Sequence, residues 1–106
     1  MPFPEDQSSE SCLAAVQQNG FALQLVKEQT EAICLAAVRY RGFALRYVKN
    51  QTEAICLAAV QQDGGALYYV KEQTPELCIA AYIQKPEAIR FVRDPELRNQ
   101  LEIALI

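Results

Sequence analysis

Apolar residues recur along this chain in blocks with a period of 22 residues. The cysteines mark the period, since each follows the previous one by 22 residues: Cys12, Cys34, Cys56 and Cys78. Segments 30–51 and 52–73 are identical at 16 of 22 positions, and segments 8–29 and 74–93 are more divergent copies. A fixed period of this kind is typical of repeat proteins. The pattern predicts four repeats within a single domain, 8–106, preceded by a flexible tail, 1–7.

Each copy has the pattern of two short helices with a glycine between them. In the second copy, Thr30 can accept a hydrogen bond from the first helical turn, and the helix after it is apolar on all sides. Ala44, Leu45 and Val48 then have the spacing of a helix buried on one side. We expect Gly42 to end the first helix in a left-handed backbone conformation. The equivalent positions in the other copies are Gly20, Gly64 and Pro86.

Helices this short are not stable alone in water, so they must pack against neighbouring copies. A β-sheet is disfavoured, because polar and apolar residues do not alternate and the Ala-Ala pairs are poor strand material. The sequence therefore predicts an all-α fold: a right-handed α-solenoid of about four 22-residue, two-helix repeats plus a C-terminal capping helix.

The capping helix is predicted at residues 95–106, because residues 94–97 repeat the helix-start signal of residues 74–77. The helix ends in apolar residues, among them Leu101, Leu105 and Ile106. One interpretation is that its apolar face covers the fourth repeat. The alternative is that these three residues contact a second copy of the chain in a two-fold homodimer.

Composition excludes several chemistries. The net charge of −3 disfavours non-specific attraction to nucleic acids and anionic lipids. The chain has no histidine, which removes the usual general base and the commonest zinc ligand. Walker, GxSxG and GxGxxG motifs do not occur. We therefore expect a non-enzyme with no cofactor and no metal.

The four cysteines are expected to be buried, reduced and packed as small apolar residues. Equivalent positions on neighbouring helices lie roughly 8–10 Å apart, whereas a disulfide requires Cα atoms within about 7 Å. A string of thiols along a solenoid cannot converge on one metal ion. The alternative is a reactive thiol near one end of the array.

Positions that differ between otherwise matched copies are candidates for recognition, because the core does not fix them. The hairpin turns of the four copies differ most, one position within the second helices also varies, and the second copy has a basic and aromatic cluster at these positions. The candidate partner-binding residues are Arg39, Tyr40, Arg41, Arg46, Tyr68 and Arg90. Arginine and tyrosine are favoured at binding hot spots. The alternative is an ordinary solvated edge, with Tyr47 in the core.

The segment CLAAVQQNGFALQLVKEQTEAICLAAV, residues 12–38, resembles a bacterial family of short helical repeats catalogued as domain of unknown function 4116. The shared motif is Ala-Ala-Val, three residues, Gly, one residue, then Ala-Leu, and it runs here from Ala36 to Leu45. The resemblance covers residues 8–93, but the fourth copy departs from it at Tyr82 and Pro86. It implies a bacterial or phage-related helical repeat and implies no reaction.

These features predict a non-catalytic protein-interaction module that uses the hairpin turns and the variable helix positions. The alternative is a small acidic inhibitor or immunity-type protein that blocks a toxin, a nuclease or, like an anti-CRISPR protein, a nucleic-acid-binding partner. Direct nucleic-acid binding is disfavoured. No apolar run approaches the roughly 20 residues of a membrane helix, and the N-terminus lacks the pattern of a signal peptide. A cytoplasmic protein is expected.

Overall fold

The computed structural model describes residues 7–104, in which α-helices alternate with short 3₁₀ helices and no strand occurs. The α-helices are α1 (Ser9–Gln18), α2 (Glu31–Tyr40), α3 (Glu53–Gln62), α4 (Pro75–Gln84) and α5 (Pro95–Ala104). The 3₁₀ helices are η1 (Gly20–Leu25), η2 (Gly42–Tyr47), η3 (Gly64–Tyr69) and η4 (Pro86–Phe91). Each of α1 to α3 packs on the next α-helix, and each of η1 to η3 on the next 3₁₀ helix. The all-α repeat solenoid predicted from the sequence is confirmed.

The second helix of each repeat is a 3₁₀ helix, where the sequence pattern predicted an ordinary amphipathic helix. Ala44, Leu45 and Val48 are all buried, as their spacing requires, but Val48 already has extended backbone at the end of η2. Six residues of 3₁₀ helix rise about 12 Å, and ten residues of α-helix rise about 15 Å. The 3₁₀ helix therefore spans nearly the same length as the α-helix with four fewer residues.

Hydroxyl side chains cap the first four α-helices; the three threonine caps were predicted from the sequence, and Ser8 was not. The Thr30 Oγ1 accepts from the backbone N–H of Ile33 at 3.2 Å, and the equivalent residues of the other repeats do the same. These residues are Ser8, Thr52 and Thr74. Each cap satisfies a backbone donor that has no partner inside its own helix, which stabilises the helix by about 1 kcal/mol.

The left-handed conformation expected for the glycines between the helices is wrong. These glycines are required because a side chain would not fit. No glycine among the described residues has a positive φ. A Cβ atom on Gly42 would lie 2.5 Å from the carbonyl oxygen of Ala59 in the next repeat, and one on Gly20 would lie 2.6 Å from that of Ala37. Gly64 meets Ala81 in the same way. Each glycine therefore allows the following α-helix to approach closely.

The core lies between the α layer and the 3₁₀ layer and runs the length of the array, which measures 51 × 21 × 15 Å. Every repeat contributes residues at the same register positions. The completely buried examples are Val16, Val38, Val60, Leu23, Leu45, Leu67, Ala37, Ala59 and Ala81. All four cysteines are also buried and free, as expected.

A glutamine that directly precedes each of the second, third and fourth repeats bonds to the end of the 3₁₀ helix in the repeat that follows. The Gln29 Nε2 donates to the carbonyl of Tyr47 at the end of η2 (2.8 Å), and its Oε1 accepts from the backbone N–H of Lys49 (2.9 Å). The Sγ of Cys34 also lies 3.7 Å from this Oε1. Gln51 and Gln73 make the same set of contacts.

Gln7 belongs to the same series, although the sequence pattern placed it in the flexible tail. Its Nε2 donates to Leu25 O at 3.3 Å, and its Oε1 accepts from the N–H of Lys27 at 3.1 Å. Gln7 therefore packs with the repeats, and residues 1–6 of the predicted tail lie outside the described residues.

At the other end, α5 begins at the predicted proline and packs mainly against η4. Leu97 and Leu101 lie half-buried against the core, whereas Ile103 is 60% exposed. Leu105 and Ile106 lie outside the described residues. The helix covers part of the fourth repeat, and the homodimer through Leu101, Leu105 and Ile106 stays a prediction.

Candidate functional site

The structure divides the six candidate binding residues into two groups. Arg39 and Tyr40 end α2 and Arg41 follows them; these three are called the tip. Arg46, Tyr68 and Arg90 occupy the fifth position of η2, η3 and η4. At about 2 Å of rise per residue, Arg41 and Arg46 lie roughly 10 Å apart along the helix axis. The predicted cluster of the second copy is therefore two surfaces.

The tip is exposed, and the Arg41 guanidinium lies 5.9 Å from the centroid of the Tyr40 ring. Gln62 and Gln84 occupy the position of Tyr40 in the next two repeats. Their side-chain carbonyls accept from the backbone N–H of Gly42 at 2.6 Å and of Gly64 at 2.5 Å. The second repeat thus has a tyrosine, 45% exposed, where the third and fourth repeats have a glutamine that links two repeats.

The other candidates join a continuous set of rings on the 3₁₀ layer, here called the arginine–tyrosine row. Its members are Arg46, Tyr47, Tyr68, Tyr69, Arg90 and Phe91. The Arg46 guanidinium lies 5.2 Å from the Tyr47 ring centroid and 5.6 Å from that of Tyr69. Arg90 lies 5.8 Å from the centroid of Phe91. All three distances fit cation–π contacts.

Edge-to-face ring pairs connect the two arginines. The Tyr68 ring lies 5.1 Å from Tyr69 and 5.4 Å from Phe91, centroid to centroid. Tyr68 is 58% exposed, whereas Tyr69 and Phe91 are half-buried against the core. Tyr47 is also half-buried, as the alternative interpretation expected, and it contacts Phe21 edge to face. The half-buried rings of Tyr47, Tyr69 and Phe91 therefore support three exposed side chains: Arg46, Tyr68 and Arg90.

Arg93 is a residue that sequence reasoning did not single out. Its guanidinium donates to Val70 O at 2.7 Å and to Tyr68 O at 3.1 Å, at the end of η3. With Tyr68, Arg90 and Phe91 it lines an open depression of about 440 Å³. The sequence signal that could have identified it as a candidate is that the other three repeats have a lysine at the equivalent position.

Positive charge in the row is not neutralised locally. Within residues 7–104 neither Arg46 nor Arg90 has a carboxylate within 4 Å, whereas Lys85 pairs with Asp63 at 3.1 Å. Each of the first four α-helices has a glutamate in its first turn: Glu10, Glu31, Glu53 and Glu76. The 3₁₀ layer also contains a carboxylate, Glu87 in the first turn of η4, but within the described residues it forms no ion pair with the arginines of the row.

The four thiols lie buried in the core. Burial is the main cause that raises the pKa of Cys34, Cys56 and Cys78 above its ordinary value. Glu31 and Glu53 raise the pKa of the nearest thiol further by charge repulsion. The protonated thiols are weak nucleophiles. Within residues 7–104, no three His, Cys, Asp or Glu side chains are grouped to hold a metal ion.

No protein-family model, curated protein or solved structure matches this chain. Along the described part of the chain, every helix is too short or too polar to cross a membrane.

Proposed function

We propose that this protein is a non-catalytic protein-interaction module whose binding surface is the arginine–tyrosine row. The observation that carries the proposal is that two arginines, neither of which forms an ion pair within the described residues, flank an exposed tyrosine packed on half-buried aromatic rings. Arginine and tyrosine are the residues enriched at interface hot spots. The rings restrict the motion of Tyr68 and the arginines, which lowers the entropy lost on binding.

The row also differs from the parts of the repeat that the fold requires. Its fifth 3₁₀ position is Gln24, Arg46, Tyr68 and Arg90 in the four repeats, whereas the buried positions are nearly identical. The frame therefore tolerates different side chains at this position. We assign the tip, which lies at the other end of η2, a secondary role as a separate surface.

Quantitative affinity capture from the native host tests this proposal. The test variant is Arg46→Gln/Arg90→Gln, and the matched control is Lys27→Gln/Lys71→Gln. Each pair removes two positive charges two repeats apart, and the control lysines are exposed and follow the 3₁₀ helices. We expect a captured protein to be retained by the wild type and the control and reduced about tenfold or more by the test variant. Equal capture by all three proteins would refute the proposal.

A small acidic inhibitor of a nucleic-acid-binding protein is the second candidate. The first-turn glutamates of the stacked α-helices favour it, because they recur in a row at roughly the 8–10 Å spacing of packed helices. Such a row presents negative charge to a cationic nucleic-acid site. Under this candidate, Glu31→Gln/Glu53→Gln reduces capture of the partner, and Arg46→Gln/Arg90→Gln does not.

A further inference from the structure

We propose that the arginine–tyrosine row binds an extended acidic peptide segment that runs along the array. This proposal rests on the proposed function and adds the chemistry of the partner. The segment carries two carboxylates, one for Arg46 and one for Arg90, with an aromatic or aliphatic residue between them for the exposed face of Tyr68.

Charge complementarity favours an acidic partner. In the described part of the chain neither Arg46 nor Arg90 has a carboxylate within 4 Å, although Glu87 lies one 3₁₀ turn before Arg90, and each guanidinium lies near an aromatic ring. A guanidinium beside a ring keeps N–H donors in its own plane, and their fork geometry matches a carboxylate. Local positive charge on a protein of net charge −3 selects a partner by position rather than by overall attraction.

The repeat geometry sets the spacing of the partner's carboxylates. Arg46 and Arg90 are equivalent residues two repeats apart, so their backbones lie roughly 16–20 Å from one another at the usual helix-packing distance. An extended chain advances about 3.3 Å per residue, so the matching carboxylates are about five or six residues apart.

The surface between the arginines favours an extended segment over a helix. Amphipathic helices bind in apolar grooves, but the exposed side chains of this row are polar or amphipathic: Arg46, Tyr68 and Arg90. The depression beside Tyr68, about 440 Å³ and bounded by Arg90, Phe91 and Arg93, accommodates one large side chain of the bound segment.

Fluorescence anisotropy with labelled peptides tests the proposal on the full chain. The probes are Gly/Ser peptides with one central Phe and two Glu residues three, six or eleven positions apart, and a six-position peptide with both Glu replaced by Gln. We expect the six-position Glu peptide to bind about tenfold or more tightly than each of the others. Arg46→Gln/Arg90→Gln should remove this preference, and Lys27→Gln/Lys71→Gln should preserve it.

Three results would overturn the inference: no binding of the six-position peptide at millimolar concentration, equal binding at all spacings, or equal loss in the control variant. An oligo-dT probe that binds the row more tightly than the peptides would also overturn it in favour of single-stranded nucleic acid. Failure here combined with Arg46- and Arg90-dependent capture would leave the interaction module standing with a partner of different chemistry. Capture insensitive to these arginines would remove the proposed function itself.

Discussion

At the residue scale, Gly42 shows how one missing methyl group sets the distance between repeats. Its backbone has no positive φ, so it is not needed for conformational freedom. The nearby carbonyl oxygen of Ala59 belongs to the next α-helix and is part of a rigid backbone. A side chain at this position can be accommodated only if two repeats move apart.

We therefore expect Gly42→Ala to destabilise the protein by about 1–3 kcal/mol, the usual cost of overpacking. Urea unfolding followed by circular dichroism measures the change. Position 86 is the matched control, because it has the same register in the last repeat, where α5 does not continue the stack. There Pro86→Ala should be as stable as Pro86→Gly or more so, since alanine restricts the unfolded chain. A stable Gly42→Ala variant would contradict close approach as the reason for the glycine.

The thiols give a second residue-scale prediction, concerning pH. Because burial raises the pKa of Cys34, Cys56 and Cys78 above the ordinary 9.0, the unfolded chain releases these protons at lower pH than the folded chain. The stabilisation is present below pH 9 and is lost as the pH rises through the folded-state values, so the free energy of unfolding falls. Urea midpoints between pH 7 and 10 under reducing conditions measure this loss. A variant with all three cysteines changed to alanine should lose less stability over that interval; an unchanged pH dependence would contradict the thiols as its cause.

At the element scale, the helix starts and the buried positions were predictable because they depend on neighbours within one turn. Thr30 caps Ile33 three residues away, and Ala44, Leu45 and Val48 follow a local spacing. The 3₁₀ geometry had no such local signal, and the ends of the 3₁₀ helices contact residues 18 to 20 positions away in the sequence. Gln29 illustrates this: its side chain holds the end of η2 from outside that helix.

Gln51 provides the element-scale test of this frame. Its side chain joins the end of η3 to the start of α3 through Tyr69 O, the N–H of Lys71 and the thiol of Cys56. Gln51→Ala leaves the partly buried carbonyl of Tyr69 without this donor and the exposed N–H of Lys71 to water, which should cost about 1–3 kcal/mol. Gln61→Ala, at an exposed position of α3, should change stability by less than about 0.5 kcal/mol. Similar midpoints for the two variants in urea unfolding would show that the contacts of Gln51 do not stabilise the packing of its repeat.

At the scale of the whole molecule, the binding surface was predicted only in part because it is assembled across repeats. Arg46, Tyr68 and Arg90 were identified as variable equivalents, and the structure connects them through rings from three repeats. The tip residues of the same copy lie on another edge, since the turn and the far end of η2 are separated by the length of that helix. Sequence proximity therefore overestimated the cluster at the second copy and missed Arg93.

The same modularity predicts that the array can be lengthened. Inserting a second copy of residues 52–73 after Gln73 places a glutamine at each boundary and sets Gly64 of the original copy against Ala59 of the inserted one, as Gly42 meets Ala59 now. The original Asp63 would lose its contact with Lys85, which costs at most about 1 kcal/mol at the surface. Because each repeat adds an interface as well as its own helices, we expect a monomer with more helical ellipticity and a melting temperature higher by several degrees. The control is the same 22 residues inserted after Gly65, inside η3, where they interrupt the register. An in-register insertion that melts no higher than the wild type would show that the repeats do not stabilise one another through equivalent interfaces.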